Sequence, residues 1–358
     1  MKRTRAHWRR SLAVAGRPLL AIGAALGVVA GMLAAMGYAP GAALGALAYG
    51  AVGTKAAWTA TFLKSTPLLL TGLAVALCFR AGVWNIGAEG QLLAGALFAT
   101  AVATRVFAES TGVWVMPGVI LAGAAGGAIF GAIAGALRAG RGVSEVISTI
   151  LLNFVAIQLV ALAVHGPLQE AAGAYPKSDP FPDAALLPAL GRFHLGVAAA
   201  FCCALLAQWL LFRTAFGYRV RAVGHSARAA RFAGISPART SFAVLTLAGG
   251  VAGLAGAFEV AGVTGQLYEG ISPGHGYTAI AVALIARLHP LAVIPSALFF
   301  GGLEAGAGAM QRAAGVPAVV TQIVQGTTIL LSAAFAFASA TPEAAPADED
   351  DAAEEVPA

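Results

Sequence analysis

The sequence predicts an all-α fold: a polytopic membrane helix bundle of about ten transmembrane helices with both termini cytoplasmic. Three observations carry this reading. Of the 358 residues, 59% are hydrophobic and 11% are charged, too little polar surface to coat a soluble globule. Apolar runs of the roughly 20 residues that a helix needs to cross the hydrocarbon core recur, centred near 28, 68, 97, 125, 155, 203, 251, 281, 300 and 327. With ten alternating spans the basic residues sort by side. All but six of the 22 Lys and Arg fall on the side of the N-terminus, the six being Lys55, Lys64, Arg105, Lys177, Arg192 and Arg312, which makes that side cytoplasmic.

Taken in order, residues 1–17 form a basic cytoplasmic N-terminus. The run from Pro18 to Ala39 is too long for a cleaved signal and is the first span. Residues 18–339 make up the transmembrane domain. Gly23, Gly27 and Gly31 in the first span, and Gly123, Gly127, Gly131 and Gly135 in the fourth, recur at every fourth position. Such ridges let helix backbones approach closely. Two loops stand out. The Pro-rich stretch 165–194 is placed outside, and 213–240, RTAFGYRVRAVGHSARAARFAGISPART, is placed inside. Within the second loop, Ser226 is a candidate N-cap and Gly234, followed by Pro237, a helix stop. Between the eighth and ninth spans, Arg287 to Pro290 leaves room for only a tight turn. The tail 340–358 carries seven acidic residues, Glu343, Asp348, Glu349, Asp350, Asp351, Glu354 and Glu355, and no apolar face, so it is expected to be disordered. Cys78, Cys202 and Cys203 all lie in apolar runs without metal-ligand spacing, as small packing residues do.

Polar groups at membrane depth are costly and mark function. The densest set is FRAGVWNIGAEGQ, Phe79 to Gln91, where Gly82, Gly87 and Gly90 surround Asn85, Glu89 and Gln91. It reads as an interrupted helix whose freed backbone groups need partners in protein or cavity water. A second break, Gly262 to Tyr277, precedes the eighth span, with Glu259, Gln266 and Glu269 nearby, and the pair hints at a repeat of about five helices. At 100° per residue, Glu145, Thr149 and Asn153 form one narrow stripe on the fifth span. Thr321, Gln325, Thr328 and Ser332 do so on the tenth. Uncharged amides and hydroxyls suit a small neutral polar solute, and interhelical hydrogen bonding is the competing use of each such residue.

Enzyme constellations are missing from the sequence: there is no H-E-x-x-H, no G-x-S-x-G and no Walker A motif, so no catalytic residue, metal site or cofactor is expected. The basic residues sort by loop and form no nucleic-acid patch. Four ordered blocks, FRAGVWNIGAEGQLLAGALFA, GVSEVISTILLNFVA, YRVRAVGHSARAARFAGIS and GYTAIAVALIARLHPLAVIPSALFFGGLEAG, resemble the permease subunits of bacterial ABC importers in the branched-chain amino acid, ribose and nucleoside superfamily. The resemblance runs from Trp58 to Ala338, and the Asn-Ile-Gly-Ala-Glu-Gly-Gln form is similar to the nucleoside and simple-sugar branch.

The resemblance implies an inner-membrane importer subunit whose partners are a cytoplasmic ABC ATPase, a second homologous permease, and an extracytoplasmic solute-binding lipoprotein. It implies uptake of nucleosides, with ribose-like sugars as the alternative. It also implies that His225, Arg228, Ala229, Ala230, Arg231 and Gly234 belong to the segment that couples to the ATPase. Arg228 stands where a stricter family pattern has Glu before the paired alanines. The expected pathway or gate residues are Asn85, Glu89, Gln91, Glu145, Thr149, Asn153 and Gln325. A secondary transporter, a membrane enzyme and a structural subunit are the rival classes.

Overall fold

The computed structural model describes residues 23–317 together with 319–320, 322–323, 326–327 and 330–331. The segments 1–17 and 340–358, and Thr321, Gln325, Thr328 and Ser332 of the tenth stripe, lie outside the described residues. In chain order the helices are α1 (Gly23–Ala35), α2 (Pro40–Val52), α3 (Lys55–Arg80), α4 (Ala88–Ala101), α5 (Val115–Arg141), α6 (Glu145–Val164), α7 (Leu195–Arg213), α8 (Ala215–His225), α9 (Ala227–Phe232), α10 (Pro237–Glu259), α11 (His275–Ile285) and α12 (Pro290–Ala314). Six stretches are long and apolar enough to cross a membrane: α3, α5, α6, α7, α10 with its π-turn Val260–Thr264, and α12.

The helices differ from equal spans in an informative way. The expected third and eighth spans start late, because each begins at a Gly-rich break. At 1.5 Å per residue the 11 residues of α11 reach about 16 Å, near half of the ~30 Å core. α2, which no sequence signal had separated from its neighbours, is 13 residues long and also too short to cross.

Glycine decides how closely the central helices meet. α5 lies against α10 so tightly that a Cβ on Gly127 would collide with the Gly249 carbonyl and one on Gly131 with the Leu245 carbonyl. α4 joins the same seam, where a Cβ on Gly256 would strike the Leu92 carbonyl. The ridge on the fourth expected span is therefore a packing surface. The ridge on the first differs: among the described residues, Gly23, Gly27 and Gly31 have no neighbour within 4 Å of a Cβ position. Ala25, Val29 and Leu33 are buried instead, and they lie about 200° round the helix from that ridge. In a membrane both faces are apolar, and the larger side chains are turned inward, where they make more packing contacts than glycine can.

The two ends of the bundle are distinct. At one, α11 and α12 are joined by a turn in which Arg287 and Leu288 adopt left-handed φ of 50° and 58°. Arg80, the last residue of α3, donates from Nε to the Leu288 carbonyl at 3.1 Å. Arg80 and Arg221 both lie over the Phe212 ring, 5.9 and 5.2 Å from its centroid. α8 rests on the same end, with Gly224 so close that a Cβ would collide with the Arg80 carbonyl.

At the other end the 165–194 segment folds down onto the terminus of α10. The Ser178 and Phe181 N–H groups donate to the Leu267 and Gly265 carbonyls, at 2.7 and 2.8 Å, and Leu187 N–H donates to Ala261 at 2.8 Å. The only strands among the described residues are here, Ala189–Leu190 paired with Phe193–His194, a small exception to an all-α chain.

His194 closes that hairpin. It is buried, a Cβ on Gly196 or Gly262 would come within 2.7 Å of its Nδ1, and neither ring nitrogen has a hydrogen-bond partner among the described residues. Burial pushes its pKa below the ordinary histidine range. The unfolded chain therefore binds the proton more readily, so the neutral histidine's contribution is complete above the unfolded pKa of about 6.5. It is lost as pH falls toward the lowered folded value. The thermal midpoint of the purified protein should drop between about pH 7.5 and about pH 5.5, and His194→Leu should reduce that dependence. An identical pH slope in the variant contradicts this.

Candidate functional site

The sequence breaks at 81–87 because Gly82 takes φ 69°, a conformation natural to glycine, and because α3 has already ended on Arg80. Ala81 and Val83 N–H still donate to the Cys78 carbonyl, at 2.9 and 3.1 Å, and Gly82 N–H to that of Phe79 at 3.0 Å; beyond them α6 supplies the partners. Trp84 N–H donates to Glu145 Oε1 at 3.3 Å and Ile86 N–H to Thr149 Oγ1 at 3.3 Å. Asn153 bonds twice, accepting from Gly90 N–H at 2.8 Å and donating to the Ile86 carbonyl at 2.9 Å. Residues spaced by four on one helix thus meet alternate backbone groups of an extended segment. Gly87 and Gly90 permit the approach, since a Cβ on either would lie 2.8 Å from Thr149 Cβ or 2.9 Å from Asn153 Cα.

Within the break, Asn85 and Gln91 pair amide to amide, Nδ2 to Oε1 at 3.0 Å and Nε2 to Oδ1 at 3.2 Å, and Asn85 Oδ1 also accepts from Gly87 N–H at 3.0 Å. Glu145 is further held by an ion pair with Arg138. Asn85, Glu89, Gln91, Glu145, Thr149 and Asn153 are at most 8% exposed, so six of the seven residues expected along a pathway or gate are internal; Asn85 and Gln91 bond to each other, and each of the other four to a backbone group. The seventh, Gln325, lies outside the described residues.

Glu89 reaches furthest. Its Oε2 accepts from Gly276 N–H at 2.6 Å, so the carboxylate of α4 sits at the N-terminus of α11, where unpaired N–H groups and the helix dipole favour negative charge. The backbones meet here too, because a Cβ on Gly276 would collide with the Glu89 amide. The two breaks recognised in the sequence are therefore in contact, as the joint between two short helices.

The residue before Gly276 leads to a group the sequence reading missed. His275 Nε2 lies 3.3 Å from Glu304 Oε2, and Lys64 Nζ lies 2.8 Å from Glu304 Oε1. Three charged or ionisable residues from α3, α11 and α12 thus converge beside the joint. The available signal was a Lys and a Glu inside apolar runs, each uncommon at membrane depth.

At the Arg80 end, α9 begins as expected: the Ser226 hydroxyl accepts from Ala229 N–H at 3.2 Å, and Gly234 stops it with φ 76°. His225, Arg228, Ala229, Arg231 and Gly234 are exposed, whereas Ala230 is buried. The residue not anticipated is Phe232, 84% exposed on this short helix.

Six helices long and apolar enough to cross a membrane, two short helices butted end to end, and buried polar side chains between them define a multi-pass membrane protein. A family model described as branched-chain amino acid transport system / permease component matches residues 57–333, and the chain belongs to that family. It is 36% identical over 328 residues to the glucose ABC transporter permease protein TsgB13 of Haloferax volcanii, covering 88% of this chain and 86% of that one. It is 34% identical to the guanosine ABC transporter permease protein NupP of Bacillus subtilis, over 76% of this chain and 80% of the relative. A second guanosine permease protein of that organism, NupQ, is 27% identical over 68% of this chain and 78% of its own length. No solved structure matches the chain. The protein is an ABC permease of the sugar and nucleoside class, a transport subunit and not an enzyme.

Asn153 tests the network. Asn153→Ala leaves Gly90 N–H and the Ile86 carbonyl without partners, at a cost of about 1–3 kcal/mol for a buried group, read as a lower unfolding midpoint of the purified protein. Thr149→Ser, which keeps the hydroxyl, should change stability by no more than about 1 kcal/mol. Equal stability of Asn153→Ala and the unaltered chain contradicts the assignment.

Proposed function

We propose that the chain is the permease subunit of an ATP-driven importer that moves nucleosides, purine nucleosides first, inward across the cytoplasmic membrane by alternating access. The observation that carries the mechanism is a continuous set of backbone contacts. α9, exposed and capped, follows directly on α8. Gly224 of α8 lies against the Arg80 carbonyl, and a Cβ on Gly82 would be 3.6 Å from Gly224 Cα. Gly82 opens the break, and the break ends on Glu89, which holds α11 through Gly276. A push on α9 by a cytoplasmic ABC ATPase thereby reaches α11 without crossing a flexible linker. Two packed arrangements of these half-helices, differing in affinity for solute, are what alternating access needs.

In this proposal the topology has ten crossings with both termini cytoplasmic, the short helices and their breaks together making the third and eighth. Arg228 and Arg231 meet acidic groups of the ATPase, and Phe232 enters an apolar hollow on it. Paired guanosine permeases in one organism support a second, homologous permease as the partner in the membrane, and an extracytoplasmic solute-binding lipoprotein delivers solute to the 165–194 end. Membrane lipid covers the outer apolar faces.

The name of TsgB13 favours a second reading, a permease for simple sugars. The Lys64, Glu304 and His275 group is the one feature that favours an ion-coupled secondary transporter, and its test is direct. Uptake that survives an uncoupler but is lost on removal of ATP supports the importer, and the reverse result supports ion coupling.

The coupling assignment predicts that Gly234→Val, which forces a β-branched residue into a left-handed conformation, leaves membrane insertion intact but lowers substrate-stimulated ATPase and uptake together. Phe232→Ala should weaken retention of the ATPase on purification, as loss of a buried aromatic anchor does. Normal stimulation and normal retention in the two variants contradict it. Glu89→Gln should slow uptake while leaving the preference among competing solutes unchanged, and the opposite pattern would make Glu89 a recognition residue.

A further inference from the structure

The polar residues at the break do not recognise a solute as they stand, because they are buried and bonded to the backbone of the break and of α11 or, for Asn85 and Gln91, to each other. Unused polar capacity lies on the other side of the α11 N-terminus. There a cavity of about 190 Å³ opens between α3, α11 and α12, lined by Leu68, His275, Thr278, Phe300, Glu304 and Gln311 among others. His275 is 4% exposed, and its Nδ1 has no hydrogen-bond partner among the described residues.

From this cavity we infer a binding site for one polyhydroxylated sugar ring, free or as the ribose of a nucleoside. The inference rests on the importer reading above and names the part of the solute that the permease holds. Size argues first. Pockets for drug-sized ligands run to about 300–1,000 Å³, so this cavity accepts a single ring and leaves a nucleobase outside it.

Chemistry argues second. A sugar ring presents adjacent hydroxyls at its edge and C–H groups on its faces. Glu304 accepts hydrogen bonds from hydroxyls, and it is fixed for the purpose by Lys64 at 2.8 Å and His275 at 3.3 Å. Thr278 and Gln311 both donate and accept, and Leu68 and Phe300 supply apolar wall. A cationic or anionic solute would disturb the balanced Lys64–Glu304 pair, whereas a neutral one completes it.

Position argues third. His275 lines the cavity, and its neighbour Gly276 is bonded to Glu89 at 2.6 Å. A ring that engages His275 and Glu304 therefore bears on the first turn of α11, at the residue next to the one that the break holds. Filling the cavity biases the same joint that the ATPase end reaches through α8. Recognition and gating then share one helix terminus, with His275 on the solute side and Gly276 on the gate side.

Cysteine protection in the assembled transporter tests the site. Ala307 lines the cavity; Ala307→Cys is introduced with Cys78, Cys202 and Cys203 replaced by Ser or Ala, and its maleimide labelling rate is measured with guanosine, D-ribose, D-glucose or guanine present. Slower labelling with guanosine and at least one free sugar, and none with guanine, is the expected result. Thr278→Val should raise the guanosine concentration needed for half-protection by about tenfold, as loss of a hydrogen bond of about 1.4 kcal/mol would. Protection by guanosine with ribose assigns the ribose ring, and protection by glucose without guanosine assigns a free hexose. Equal protection by guanine overturns the sugar assignment. No protection by any probe, while the unaltered transporter shows ATP-dependent guanosine or glucose uptake, overturns the site alone. No protection together with no uptake of any of these solutes overturns the importer reading and the site with it.

Discussion

A backbone that leaves the helix at membrane depth must find every hydrogen bond inside the protein, because the hydrocarbon offers none. That constraint organises this permease. The segment between α3 and α4 leaves the helix just beyond Arg80, and Glu145, Thr149 and Asn153, at helical spacing on α6, meet its Trp84 and Ile86 N–H groups and its Ile86 carbonyl. The glycines follow from the same constraint, since α6 reaches those groups only where no side chain intervenes.

Once the break is fixed, it becomes a rigid connector. One end is tied to the Arg80 turn, where Arg80 bonds to Leu288 and α8 packs on the α3 terminus. The other end is Glu89, seated on α11. Packed segments have discrete arrangements in place of continuous give, so in the proposed mechanism a displacement at α8 is carried to α11. The tight seam of α4, α5 and α10, in which glycine meets carbonyl, is the frame against which such a movement takes place.

Much of this was legible in the chain, and the limits have physical reasons. The polar stripe on α6, the Gly-rich breaks, the capped helix at Ser226 and the glycine ridge of α5 are local patterns, and local spacing fixes which residues share a face. The partner of each face is not local. Glu145 to Asn153 could equally face a solute, and only the fold shows that they meet 84–90. Lys64, His275 and Glu304 come from three separate helices, so no window of sequence contains them. The α1 glycines showed a ridge, but spacing alone does not say whether a ridge or the apolar stripe behind it turns inward. Phe232 was unremarkable in sequence because exposure, not identity, singles it out.

The central claim is that the break between α3 and α4 and the N-terminus of α11 move as one unit. Hydrogen exchange of peptides covering residues 81–91 and 274–280, followed in the assembled transporter with and without nucleotide trapped on the ATPase, tests it most directly. Both segments should be protected at rest, as hydrogen-bonded buried backbone is, and their exchange should change together when nucleotide is trapped. Exchange that is fast in 81–91 at rest, or that changes in one segment while the other stays constant, would contradict the account.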